Sequence, residues 1–126
     1  MKTATTIAQI VVRATFVVQL VLGGLFWTGN ATGLIPLHQT VGFLLVFGLW
    51  TLAVLALRAG VQPGRAAVAI VWGLVVPILG LNQDRLLVGS AHWVIEVLHL
   101  LVGLGAIGLA ESLARSIKAR QAPVLS

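Results

Sequence analysis

Four long stretches of this chain are almost free of charge: roughly residues 7 to 28, 34 to 57, 66 to 81 and 86 to 110. Each is near the ~20 residues a helix needs to cross about 30 Å of hydrocarbon. Polar interruptions between them are short: "GNATG" ahead of Pro36, "RAGVQPGR", and "NQDR". Glycine, asparagine and proline in such places are turn and helix-start chemistry. Short links force neighbouring helices antiparallel, so the pattern predicts an all-α, up-down bundle of four transmembrane helices. The third stretch is the shortest and contains Pro77, which removes a backbone bond and predicts a kink.

Composition sharpens this picture. The 126 residues are 59% hydrophobic and only 9% charged, with a mean hydropathy of +1.06. Soluble domains carry about 25% charged residues. The expectation is an integral membrane protein of one domain, residues 1–126, embedded in a lipid bilayer. Its first stretch is too long for a signal peptide, and no small-x-small cleavage site follows before Trp27. The net charge of +5 is spread thinly with no basic-aromatic surface, which argues against nucleic acid. It reads instead as topology. Seven of the eight Lys and Arg (Lys2, Arg13, Arg58, Arg65, Arg115, Lys118 and Arg120) fall at the termini and middle loop, and only Arg85 falls on the other side. Both termini and the middle loop are therefore expected in the cytoplasm, with Trp27 and Trp93 at the outer interface.

Candidate chemistry lies in the polar groups that break the apolar stretches. In "HWVIEVLH", His92, Glu96 and His99 fall within about 60° of one another on a helix and form one stripe. Ionisable groups at membrane depth default to functional hypotheses. With no cysteine, disulfides, iron-sulfur clusters and covalent c-type haem are excluded, so a cofactor must be held by histidine, carboxylate or packing. The second and fourth stretches share a short pattern, "HQTVG" from His38 and "HLLVG" from His99. Gly42 and Gly103 each follow a histidine by four residues on the same face, where the missing side chain lets a flat ring edge approach. Small residues also serve helix packing alone.

Two histidines on facing helices can hold a haem iron from both sides. The glycines argue for His38 with His99. His92 remains the alternative ligand or a group near the haem propionates, and an interfacial histidine bonded to loop backbone accounts for it equally. Glu96-x-x-His99 has the spacing of carboxylate-bridged di-iron bundles, but those need several carboxylates and the chain has three acidic residues. Glu96 is then a proton carrier, a partner for an imidazole, or an interhelical hydrogen bond. Arg13 and Glu111 read as a structural ion pair between the first and fourth helices. Gln9, Gln19 and Gln39 suit interhelical hydrogen bonds or contact with a quinone headgroup, and "GLGAIGLAES" suits inner packing or a homo-oligomer contact.

With four helices, both termini inside, and histidines on the second and fourth, the chain resembles the small b-type cytochromes of bacterial inner membranes, including the superoxide oxidase group. That resemblance implies non-covalent haem b, single-electron transfer with quinone or another redox partner, and location in a bacterial-type cytoplasmic membrane. Such proteins commonly hold two haems on four histidines. Three histidines limit this chain to one. Two other readings of the same residues stay open: a haem-free proton relay or small-solute transporter using His92, Glu96 and His99, and a structural membrane subunit.

Overall fold

A computed structural model describes residues 1–125; Ser126, the last residue of the expected domain, lies outside them. Among the described residues there are four α-helices and no strand: α1 Lys2–Trp27, α2 Ile35–Arg58, α3 Pro63–Asn82 and α4 His92–Gln121. All four are long and apolar enough to cross a membrane. Successive helices pack on one another, α4 closes against α1, and α2 also meets α4 across the diagonal.

The helix ends follow local chemistry. At the end of α2, Gly60 takes φ +76°, its N–H reaches Leu57 O at 3.0 Å, and Val61 N–H reaches Ala56 O at 2.9 Å. This is the Schellman arrangement, which needs a residue tolerant of left-handed backbone. Val61 is thereby tucked into the core, and Pro63 opens α3. α3 then runs through Pro77 to Asn82.

The largest departure from the pattern-based bounds is at α4, which begins at His92 rather than Leu86 and runs on to Gln121. Gly89 at φ +107° and Leu87 at φ +45° turn the chain in between. Apolar side chains at 86 to 88 look helical in a hydropathy pattern, but this backbone cannot continue a right-handed helix. The late start matters for function, because it puts His92 at the mouth of α4.

The apolar core occupies the half of the bundle nearest the termini. Leu49, Leu52, Leu113 and Ile117 are fully enclosed there, and half of the cluster's members are alanine. Small side chains let helices approach closely. Two tryptophans fasten successive helices: Trp50 Nε1 donates to Ile70 O at 3.1 Å and Trp72 Nε1 to Val102 O at 2.9 Å. In each case a glycine three residues on, Gly73 or Gly105, receives the indole where a Cβ would collide.

Polar side chains at this end tie α1 and α3 to α4. Arg13 Nε lies 2.5 Å from Glu111 Oε1 in an ion pair, and Gln9 bridges Glu111 Oε2 at 2.7 Å to Lys118 Nζ at 2.6 Å. Arg65 donates to the hydroxyls of Ser112 and Ser116.

Candidate functional site

The far half of the bundle, where α1 meets α2 and α3 meets α4 in loops, is built differently. His38 sits in the first turns of α2, just after Pro36, whose fixed φ suits a helix start. His99 lies two turns into α4. Their rings face each other across the α2–α4 diagonal with centroids 6.2 Å apart and planes inclined at 54°. Phe26 of α1 meets the His38 ring edge-on at 5.3 Å.

Two cavities flank this pair. One, of about 280 Å³, opens toward α1 and α4 and is lined by Phe16, Leu20, Gly24, Trp27, Leu100 and Gly103. The other, of about 250 Å³, opens toward α2 and α3 past Ile35, Gln39, Phe43, Pro77, Gly80 and Leu81. Both share His38, His99, Gly42, Gln19, Glu96 and Gln83 in their walls. The histidines thus stand at the waist of a space that runs from one helix seam to the opposite one.

A glycine of the preceding helix lies beside each ring, and only at Gly80 would a side chain collide with it. A Cβ on Gly80 would lie 2.9 Å from His99 Cε1, and one on Gly23 3.9 Å from His38 Cε1. Each histidine therefore rests on a glycine of the preceding helix. Gly103 meets nothing within 4 Å and faces open space, whereas Gly42 is covered by Gln19 Nε2, 2.8 Å from where a Cβ would stand. Three polar atoms in these walls are buried without a hydrogen-bond partner: His38 Nδ1, His99 Nδ1 and Gln19 Oε1. A buried donor or acceptor left alone costs about 1–3 kcal/mol, so these three atoms mark groups whose partners are still to be supplied.

His92 does not share this space. Its Nδ1 lies 3.1 Å from Leu86 O in the preceding loop, and it lines neither cavity. The stripe of His92, Glu96 and His99 is therefore divided: the last two face the cavities and the first holds loop backbone. Among the described residues no group of three or more His, Cys, Asp or Glu is placed to hold a metal ion. Two imidazoles alone suit a metal that brings its remaining ligands with it.

The order of residues alone does not mark Gly80, Gly23 or Val76 as wall residues, and it does not place Gln19 beside His38. The Gly23-Gly24 doublet was a visible signal. Gly80 was not, since its meaning depends on the register of α3 against α4. No protein-family model matches the chain, and comparison with curated proteins and with solved structures found no match.

Proposed function

We propose that this chain is a membrane-embedded b-type haem protein that passes single electrons, with His38 and His99 as the axial ligands of one non-covalent haem b. One observation carries the reading: two imidazoles on different helices face each other with a cavity on either side. Two imidazoles holding one metal between them, each through a bond of about 2.0 Å, would stand with their ring centres roughly 6 Å apart. The separation of 6.2 Å between these rings agrees with that distance. A flat macrocycle also needs room to both sides of its axis, which the paired cavities provide.

Haem b supplies a one-electron iron couple when bound. The chain's own residues do the rest. His38 and His99 would hold the iron from both sides, and two nitrogen ligands would favour electron transfer over oxygen chemistry. Gly103 leaves open space for a flat group and Gly80 seats the His99 ring, whereas the room beside Gly42 expected for the macrocycle is taken by Gln19; Phe26 and Val76 line both cavities with apolar surface. Glu96 stands in the wall one turn before His99 and is the group available to hold or pass a proton. The relay reading is weaker because His92 stands apart from Glu96 and His99.

The bundle spans a bacterial-type cytoplasmic membrane with both termini and the Arg58–Arg65 loop inside, since the basic residues gather at that end. The haem end then lies toward the outer face. A quinone in the surrounding lipid is the fitting electron donor, because both cavities open between helices. Cysteine introduced at Ala122 is expected to resist a membrane-impermeant label in intact cells while cysteine at Thr32 reacts; equal labelling would reverse this topology.

The ligand assignment is tested by substitution. His38→Ala and His99→Ala should each convert a six-coordinate low-spin iron to a high-spin or empty site, while His92→Ala keeps the low-spin spectrum. Loss of haem in His92→Ala with retention in His99→Ala would overturn the assignment.

A further inference from the structure

The far half of the bundle repeats itself. In the hairpin of α1 and α2, Gln19 and Gly23 stand one turn apart on α1 and meet Gly42 and His38 on α2. In the hairpin of α3 and α4, Val76 and Gly80 stand one turn apart on α3, and Gly80 meets His99 on α4, with Gly103 one turn further. Equivalent positions carry glycine, histidine and glycine in both hairpins. The fourth position differs: Gln19 in one, Val76 in the other.

That difference falls on the atoms left without partners. Gln19 Oε1 and His38 Nδ1 are both buried and unpaired, on neighbouring helices about one turn apart. His99 Nδ1 is equally unpaired, but valine at the matching place has no acceptor to offer it. The terminal torsion of glutamine is soft, and exchanging the two ends of its carboxamide costs little in packing. An imidazole whose N–H is held by an acceptor is fixed in one tautomer and made a better electron-pair donor through its other nitrogen.

We propose that Gln19 is a positioning residue for His38: in the haem-loaded protein its carboxamide oxygen accepts the His38 Nδ1 hydrogen, leaving Nε2 as the ligating nitrogen. Val76 gives His99 no such support. His38 is then the anchoring ligand and His99 the exchangeable one. This rests on the haem reading above and adds an order to its two ligands.

The test uses the full chain in detergent, with haem affinity and midpoint potential as readouts. Gln19→Val should weaken haem retention by roughly 10-fold or more, the usual effect of losing a group that holds a metal-bound histidine. It should also raise the midpoint potential, because a weaker donor stabilises ferric iron less. His99→Ala should keep a five-coordinate haem and His38→Ala lose it; adding Gln19→Val should abolish that difference, and Val76→Gln should move support to His99. If Gln19→Val lowers the melting temperature but leaves potential and haem affinity native, or if Val76→Gln behaves as Gln19→Val does, the inference is overturned. If the native protein takes up no haem, the haem reading falls and the inference with it.

Discussion

In the half of the bundle near the termini, leucine and alanine interlock until Val12, Leu49 and Leu52 have no accessible surface; in the far half, histidine and glycine stand at matching positions and the helices part around two cavities. Both halves are drawn from the same four apolar stretches. What differs is the pairing of sizes across each seam. Alanine against leucine fills space, whereas glycine against a half-buried histidine leaves it open beside the ring. The packed half holds the helices in register, and the open half can then place two rings at a fixed separation.

Truncating a side chain in each half should break the comparison most visibly. Leu52→Ala leaves a void in a closed core and should cost about 2–5 kcal/mol. Leu100→Ala, already 39% exposed on a cavity wall, should cost under about 1 kcal/mol. Chemical denaturation in detergent checks both, and equal losses would mean that the halves are packed alike.

Enlarging side chains should show the opposite order. Ala110→Leu, at a position 1% exposed, should destabilise by about 1–3 kcal/mol through overpacking. Gly103→Leu has open space to enter and should leave the melting temperature of the haem-free protein nearly unchanged. Haem uptake should nonetheless fall sharply in that variant, measured by titration with hemin. Normal uptake would show that the Gly103 cavity is not where the ring lies.

Gly80→Ala is a finer probe. Its methyl group would press on His99 Cε1, so the ring must shift. Stability should change little while the spin state of bound haem moves toward high spin, read by absorption or paramagnetic resonance. An unchanged spectrum would free His99 from its glycine support.

The smallest expected effect is at the ion pair. Arg13 keeps 58% of its side chain accessible and Glu111 25%, so solvent screens the pair and its contribution is small. Arg13→Gln and Glu111→Gln should each lower the melting temperature slightly, and the double variant by less than the sum. Strict additivity would mean that the pair contributes nothing.

Much of this architecture was legible in the order of residues. Four apolar stretches of membrane length, with glycine and proline between them, specify the helices and their antiparallel order. His38 and His99 stood out because histidine in such stretches is rare and each has a glycine one turn on. The start of α4 was not legible, because Leu86, Leu87 and Val88 continue an apolar pattern whose backbone is turned by Gly89. Depth was hidden for the same reason: counting from Leu86 brings His92 nearer the level of His38 than its true place at the helix mouth. Gly80 and Gln19 gain their roles only from the register of one helix against the next: Trp72 seated on Gly105 fixes α3 against α4, and Val12 seated on Gly48 fixes α1 against α2.

The most direct test of the central claim is the absorption spectrum of the full chain purified from haem-replete membranes, oxidised and then reduced. Two imidazoles flanked by paired cavities predict a Soret band, a sharp low-spin reduced spectrum, and non-covalent haem b extracted at one per chain. A protein that stays colourless, and that takes up no hemin when it is added, would contradict the account.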